Sequence, residues 1–226
     1  MQHNDVITLP MILSRVPEVL GNLPALIKGA RMGKITDTST PLGLGVEFEN
    51  ATRANPKGTA VIYRNTHLTY REVNAWANRL ADYLASIGLK KGDTVAVNIE
   101  NRPELLVTTV ACAKLGLCAA MLNTAQRGKV LTHSVNLVKP KAAIIGEEQV
   151  QVVQETRHDL DLKKNFFYFA DQDTLIDPGT APEGFTNLAT AIKNRTSENP
   201  PSTQQTFLRD PLFYIYTSGT TGLPKA

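Results

Sequence analysis

Between residues 94 and 170, short apolar runs alternate with segments that have helical periodicity. The runs TVAVNI, CAAML, AAIIG and FFYFA have the length and composition of buried strands. The segments between them, residues 103–116, 127–137 and 147–158, are predicted helices, and Pro103 occupies a favoured first helical position. Parallel strands need crossover connections of this length. The alternation therefore predicts an α/β fold in which a mostly parallel sheet is flanked by helices on both faces.

The segment before this pattern begins with a predicted β-hairpin. Two apolar runs in AVIYRNTHLTY surround a polar turn at residues 64–66. Thr69 and Glu72 have capping-box spacing, so a helix should begin there. Apolar residues follow at intervals of three and four as far as Ile87, and Gly88 suits a left-handed cap. Trp76 lies on this apolar stripe and is expected to pack in the core.

Residues 6–34 are apolar but interrupted by prolines at a spacing of seven, Pro10, Pro17 and Pro24. Because proline kinks or ends a helix, two or three short amphipathic helices are expected in residues 1–45. Basic residues close the segment: Lys28, Arg31 and Lys34. Such helices either lie on a bilayer with anionic headgroups or dock on the body of the protein, and the sequence leaves both alternatives open.

Residues 171–211 are polar and rich in proline, with one helix expected near residues 185–194. The stretch RTSENPPSTQQ, residues 195–205, is interpreted as an exposed loop. It leads to an apolar, β-prone run at residues 212–216, which we expect to be a central strand of the sheet.

The loop after this strand, TSGTTGLPK, has the chemistry of a phosphate site. Gly219 and Gly222 allow a polyanion to approach the backbone N–H groups closely. Hydroxyl donors and one cation complete the set: Thr217, Ser218, Thr220, Thr221 and Lys225. Each of these groups is a donor or a cation, so the loop suits phosphate oxygens.

Two other interpretations of the loop fit less well. A Walker A loop needs glycines five residues apart followed at once by Lys-Ser or Lys-Thr, whereas these glycines are three apart and Pro224 precedes Lys225. A flexible surface turn is the common interpretation of any cluster of glycine, serine and threonine. The combination of a strand, two glycines, four hydroxyls and a lysine favours phosphate binding.

Together with the preceding tyrosine, the loop reads YTSGTTGLPK and resembles the phosphate-binding signature of adenylate-forming (AMP-binding) enzymes. The blocks LTYREVNAWANRLADYLASIGLKKGDTVAV, ENRPELL, AKLGLCAAMLNT and KPKAAIIGEE are similar to long-chain and very-long-chain fatty acyl-CoA synthetases related to fatty acid transport proteins. The resemblance runs from about Val46 to Lys225. It implies that residues 46–226 form part of an AMP-binding adenylation domain that ends at the phosphate loop.

The resemblance implies the reaction of a long-chain fatty acid–CoA ligase, which serves fatty acid activation and uptake. A fatty acid carboxylate attacks the α-phosphate of Mg²⁺-bound ATP, pyrophosphate leaves, and the thiol of coenzyme A displaces AMP from the acyl-adenylate. Fatty acid, ATP and CoA would be the substrates. The resemblance gives no catalytic residue or protein ligand to metal in this chain. It assigns the β- and γ-phosphates to Thr217, Ser218, Gly219, Thr220, Thr221, Gly222 and Lys225.

Other features of that family do not occur in this sequence: the fatty acid tunnel, the Tyr-Gly-x-Thr-Glu motif, the ribose-binding aspartate and the C-terminal domain with its catalytic lysine. We therefore expect the chain to be the N-terminal part of such a ligase and to make no acyl-CoA alone. The alternative is a non-catalytic binding module that docks on membranes through residues 6–34.

Composition excludes several other classes. The formal charge of +3 arises from 24 basic and 21 acidic residues spread along the chain, so no face for nucleic acid is predicted. Cys112 and Cys118 are expected to be buried thiols, and the four histidines are too scattered for a hydrolase triad. With no signal peptide or membrane-spanning run apparent, a cytoplasmic location, or a peripheral one at the inner face of the cell membrane, is expected.

Overall fold

The computed structural model describes residues 9–34, 37–171, 181–217 and 223–226. The chain divides into two compact units, Met1–Thr40 and Pro41–Ala226. The first unit contains helices α1 (Leu9–Gly21) and α2 (Leu23–Met32), which confirms the prediction of short helices. Pro10 and Pro24 lie in first turns, where the missing N–H costs no helical hydrogen bond. Pro17 lies inside α1, which continues through it.

Large apolar side chains are exposed along both helices of this unit. In α1 the exposed Leu9, Leu13, Val16 and Leu20 recur at the spacing of one helix face. Leu23, Leu26 and Ile27 repeat the pattern in α2. Across the described residues, no helix combines the length and the hydropathy that crossing a membrane requires.

The second unit begins with helix α3 (Leu44–Ala54), the hairpin strands β1 (Thr59–Tyr63) and β2 (Thr66–Thr69), and helix α4 (Tyr70–Ser86). The capping box is confirmed, because Glu72 Oε2 accepts from the Thr69 N–H at 2.8 Å and Thr69 Oγ1 accepts from the Glu72 N–H at 3.3 Å. Gly88 follows α4 with a φ of +93°, the left-handed conformation predicted for it.

Six strands form one parallel sheet: β3 (Thr94–Asn98), β4 (Cys118–Met121), β5 (Ala142–Gly146), β6 (Phe166–Phe169), β7 (Thr186–Asn187) and β8 (Phe213–Ile215). Their order across the sheet is β7-β6-β5-β3-β4-β8. The crossover helices are α5 (Pro103–Leu115), α6 (Gly128–Leu137) and α7 (Val150–Thr156), and a short helix α8 (Leu188–Ala191) follows β7. The predicted α/β fold is confirmed.

Side chains of the strands point alternately into two apolar cores, one on each face of the sheet. Val95 and Val97 pack with residues of α4 and α5. Ala96 and Ile145 pack with residues of α6 and α7 on the other face. Trp76 packs edge-on against Phe169, with ring centroids 6.2 Å apart, as the apolar stripe predicted.

Both cysteines are buried, as expected. Burial raises the pKa of the Cys112 thiol to about 12, and it also raises the pKa of the Cys118 thiol. Neither sulfur is therefore a ready source of thiolate at neutral pH.

The prediction of a central strand at residues 212–216 is wrong. Within the described residues, β8 pairs with β4 alone and lies at the edge of the sheet, and Ile215 is 67% exposed. An apolar run signals strand formation, but the position of a strand in a sheet depends on long-range pairing that no local pattern encodes.

The prediction of an exposed loop at residues 195–205 is also wrong in part. Pro201–Gln205 forms a 3-10 turn in which Thr203 is fully buried. Asn199 Oδ1 accepts hydrogen bonds from Lys114 Nζ at 3.1 Å and from Asn78 Nδ2 at 2.9 Å. Polar residues in this segment form hydrogen bonds with buried polar residues of the helices. A polar composition alone does not distinguish such residues from residues exposed to water.

The helix expected near residues 185–194 is shorter than predicted, because β7 occupies its start.

Candidate phosphate-binding site

The strands of the sheet end together at one edge because all of them are parallel. At this carboxyl edge, a groove of about 480 Å³ opens between the ends of β3 and β4. The connection after β3 enters α5 on one face, whereas that after β4 enters α6 on the other. Such a switch point is the usual place for ligands in a parallel sheet. The groove is lined by Val97, Ile99, Glu100, Asn101, Leu105, Met121, Leu122, Asn123 and Thr124.

The candidate phosphate loop begins at the same edge, directly after β8. Thr217 and Lys225 form an isolated antiparallel bridge that closes the loop at its base. The Thr217 N–H donates to Lys225 O at 2.9 Å, and the Lys225 N–H donates to Thr217 O at 3.1 Å. Both side chains are exposed. The bridge brings together the first and last of the predicted phosphate-binding residues.

Of the seven predicted phosphate ligands, the structure describes these two. Ser218, Gly219, Thr220, Thr221 and Gly222 lie outside the described residues. The stem of the loop, Tyr216, Thr217 and residues 223–225, is described on both sides of that interval.

Tyr216 anchors the arm of the stem that leaves β8. Its hydroxyl donates to the backbone carbonyl of Ser134 in α6 at 2.8 Å. Burial, with smaller contributions from Cys118 and Tyr214, raises the pKa of the Tyr216 phenol. The phenol therefore stays protonated and keeps its donor at any physiological pH.

His133 contacts the returning arm. Its Nε2 lies 3.1 Å from the carbonyl oxygen of Pro224. A carbonyl can only accept, so this contact requires the proton on Nε2. The sequence had indicated no role for any histidine or for the hydroxyl of Tyr216. These partners are 82 and 91 residues apart along the chain, and no local motif links them.

A second polar cluster at the carboxyl edge is centred on Arg102. Its guanidinium is buried and lies 2.9 Å from Glu104 Oε2 and 3.3 Å from Glu148 Oε2. It also donates to the carbonyl oxygens of Phe169 at 2.9 Å and Ala170 at 3.2 Å. Burial raises the pKa of Glu104, and the charge of Arg102 opposes that shift. The guanidinium thus joins the ends of β3, β5 and β6.

Glu147 and Glu148, which follow directly after β5, accept hydrogen bonds from backbone N–H groups near the Arg102 cluster. Glu148 Oε1 accepts from the Glu100 N–H at 2.7 Å, and Glu147 Oε2 accepts from the Asp171 N–H at 2.6 Å. They begin a 3-10 turn that precedes α7. The two carboxylates thus link the end of β5 to the backbone that follows β3 and β6.

The sequence pattern of the family described as AMP-binding enzyme matches residues 48–226. The chain belongs to this AMP-binding enzyme family. The resemblance found in the loop and in the upstream blocks is therefore confirmed.

Among curated relatives of this family member, a medium/long-chain-fatty-acid–CoA ligase, FadD6 of Mycobacterium tuberculosis, is 33% identical over 217 residues, which cover 95% of this chain and 34% of that protein. Long-chain fatty acid transport protein 1 of Homo sapiens is 34% identical over 182 residues, covering 79% of this chain and 27% of that protein. The chain thus spans only about a third of the length of the first relative and about a quarter of the length of the second.

Solved structures show the same architecture. An inhibitor-bound N-terminal domain of FACL13 from Mycobacterium tuberculosis superposes with a TM-score of 0.65 at 25% identity, over 80% of this chain and 42% of that one. The anthranilate CoA ligase AuaEII in complex with anthranoyl-AMP superposes with a TM-score of 0.71 at 19% identity, over 81% of this chain and 33% of that one. The second likeness concerns the fold alone.

Proposed function

We propose that this chain supplies the triphosphate-binding part of a long-chain fatty acid–CoA ligase. The ligase joins a fatty acid to CoA through an acyl-adenylate and releases AMP and pyrophosphate. The observation that carries the proposal is the Thr217–Lys225 bridge, which closes a loop of phosphate-binding composition at the carboxyl edge of a parallel sheet. The similarity to fatty acid–CoA ligases supports the choice of acyl substrate.

The chemistry of the loop fits the leaving group of this reaction. Negative charge develops on the bridging oxygen and the β-phosphate as pyrophosphate departs. Hydroxyl and N–H donors near Thr217 and the ammonium of Lys225 would stabilise that charge with little reorganisation, since the bridge fixes the backbone at both ends of the loop. The role of these residues is electrostatic and requires no proton transfer.

Magnesium fits this assignment as part of the substrate. Within the part of the chain that the structure describes, no three histidine, cysteine or acidic side chains converge on a point where they could hold a metal ion. The loop contributes hydroxyls and a cation, which suit phosphate oxygens better than Mg²⁺. Mg²⁺ would therefore arrive bound to ATP and share the charge of its phosphates.

Acyl transfer to CoA would need parts of the relatives that this chain does not span. We therefore propose that the chain binds ATP but forms no acyl-CoA alone. In an assay with ATP, oleate and CoA, the thioester should stay at background, and robust thioester formation would contradict this part of the proposal.

Equilibrium dialysis with Mg²⁺-ATP tests the binding part. The full chain should show saturable binding that falls with added pyrophosphate or with salt. Lys225→Met should weaken binding by about tenfold or more, because a charge-assisted contact to phosphate is lost. Lys193→Met removes an exposed lysine in the turn that follows α8 and serves as the control. Equal affinity in both variants would overturn the assignment of Lys225.

A second function, docking on an anionic bilayer, is favoured by the exposed apolar face of α1. Leu13 and Leu20 are 59% and 60% exposed, and residues 9–34 contain four basic residues against one acidic residue. An amphipathic helix of this kind buries its apolar face among acyl chains while its cations meet lipid headgroups.

Vesicle co-sedimentation tests this second proposal. Binding to vesicles of phosphatidylcholine and phosphatidylglycerol should be lost when Leu13 and Leu20 are both replaced by Asp, and when residues 1–35 are deleted. Leu208→Asp, at an exposed leucine of the second unit, should bind like the original chain. Sedimentation that survives both changes to the first unit would exclude docking through it.

A further inference from the structure

Helix α6 holds both arms of the candidate phosphate loop. Two consecutive residues of the helix, His133 and Ser134, contact Pro224 and Tyr216. Pro224 stands directly before Lys225, and Tyr216 stands directly before Thr217. The residue before each member of the Thr217–Lys225 bridge thus forms a hydrogen bond with α6.

The helix is a fixed support for these contacts. Leu131 and Val135 are buried in the core between α6, α7 and the sheet. Asn136 donates to the carbonyl of Asp159 at 3.0 Å and accepts from the N–H of Asp161 at 2.9 Å. Packing and hydrogen bonding together hold the helix against the body of the second unit.

The contact of His133 acts on one particular peptide unit. The carbonyl of Pro224 and the N–H of Lys225 belong to the same planar group and point in opposite directions. His133 Nε2 lies 3.1 Å from the carbonyl, and Thr217 O accepts from the N–H at 3.1 Å. This peptide unit is therefore hydrogen-bonded at both its carbonyl and its N–H group. Proline has no N–H of its own, so the carbonyl is the one backbone group through which Pro224 can be held.

We propose that His133 is a positioning residue for the phosphate loop, acting through the Pro224–Lys225 peptide unit. By fixing the rotation of that unit, it sets the direction in which the Lys225 side chain leaves the backbone. Tyr216 secures the opposite arm, so the bridge keeps its register. The effect of His133 on ATP affinity rests on the proposed ATP-binding function. The contact between His133 and Pro224 does not depend on ATP.

Hydrogen exchange of the backbone amides tests the contact without nucleotide. In the full chain, His133→Leu should speed exchange of the Lys225 and Thr217 amides by about tenfold, the effect of losing one ordinary hydrogen bond. His133→Gln retains an N–H donor near the position of Nε2 and should restore slow exchange. His133→Asn is too short to reach Pro224 and should behave like His133→Leu, which gives a polar alternative if the leucine variant folds poorly.

A control variant and a remote amide separate this effect from general destabilisation. His158→Leu replaces an exposed histidine and should leave all these amides unchanged. Exchange at Val97, in the buried sheet, should be the same in every variant. Equal exchange of the Lys225 amide in the original chain, His133→Leu and His133→Gln would overturn the proposal, and so would a loss of protection at Val97 that matches the loss at Lys225.

Affinity for Mg²⁺-ATP gives the consequence for binding. His133→Leu should weaken ATP binding several-fold and His133→Gln should recover it, whereas a merely structural role would give no recovery by glutamine. If the original chain binds no ATP, the proposed function fails while the exchange comparison still decides the role of His133. ATP binding with unchanged affinity in His133→Leu would instead overturn the inference and leave the proposed function intact.

Discussion

Lys114 and Glu49 form an ion pair inside the protein, with Nζ 2.9 Å from Oε1 and the lysine side chain fully buried. The pair joins α5 to α3. Asn199 contributes a second acceptor to the same ammonium, so the segment before the 3-10 turn at residues 201–205 is hydrogen-bonded to α5 through Lys114. Burial lowers the pKa of Lys114, while the hydrogen bond and the charge of Glu49 oppose that change.

Removing one partner of this pair should be costly. Lys114→Met leaves Glu49 buried without its cation and should lower the free energy of unfolding by about 3–5 kcal/mol. Urea unfolding followed by circular dichroism measures the change. The double variant Lys114→Met with Glu49→Leu replaces both charges by apolar groups and should recover much of the loss. A single variant as stable as the original chain would show that the pair contributes little.

Gly45 allows α3 to approach α5 closely. A Cβ at this position would lie 3.0 Å from both Cα and N of Lys114, which are backbone atoms. Gly45→Ala should therefore destabilise the protein by about 1–3 kcal/mol through overpacking, less the roughly 1 kcal/mol that alanine gains in helix propensity. Gly43→Ala is the control, because a Cβ there meets no atom within 4 Å. Thermal unfolding should separate the two variants, and equal melting temperatures would contradict the predicted clash.

Stability at the Arg102 cluster should depend on the ionisation of Glu104. Burial raises the pKa of Glu104 in the folded state above the ordinary value of 4.5. Between pH 4.5 and the raised pKa, Glu104 therefore carries its proton more often in the folded protein than in the unfolded chain. The contribution of Glu104 to stability is therefore present below about pH 4.5 and is lost as pH rises through the raised pKa.

The glutamine variant isolates this contribution. Glu104→Gln has no carboxyl group to ionise, so this loss of stability with rising pH should be absent from the variant. As pH rises from 4 to 7, the unfolding free energy of the variant should therefore increase relative to that of the original chain. Denaturant unfolding at several pH values measures the difference. A difference that stays constant across this range would contradict the raised pKa.

The hydroxyl of Tyr216 should contribute a measurable part of the stability near the loop. Tyr216→Phe leaves the Ser134 carbonyl without this donor and should cost about 0.5–1.5 kcal/mol. Tyr214→Phe removes the hydroxyl of an exposed neighbour and should change stability by less than about 0.5 kcal/mol. Amide exchange at Thr217 should rise in the first variant alone, and equal effects of the two changes would show that the Ser134 contact is not significant.

Local patterns predicted the elements of the fold well. The Thr69–Glu72 capping box, the left-handed Gly88 and the alternation of strands and helices depend on residues within a few positions of one another, and the structure confirms them. The loop motif led to the correct family, because its glycines, hydroxyls and lysine are contiguous.

What the sequence did not predict depends on long-range contacts. Lys114 lies in an apolar helix, and nothing nearby in the chain reveals that Glu49 and Asn199 enclose its ammonium. The edge position of β8 follows from pairing with β4 alone in the described sheet. His133 reaches Pro224 across 91 residues, so spacing could not identify it. Each of these relationships is created by the assembly of the sheet and its helices.

We propose that the loop from Thr217 to Lys225 holds the triphosphate of ATP. Acetylation of lysine side chains, followed by mass spectrometry with and without saturating Mg²⁺-ATP, tests it directly on the full chain. ATP should slow modification of Lys225 by several-fold, while the exposed Lys164 and Lys193 should react at unchanged rates. Modification of Lys225 at the same rate with and without ATP would contradict the proposal.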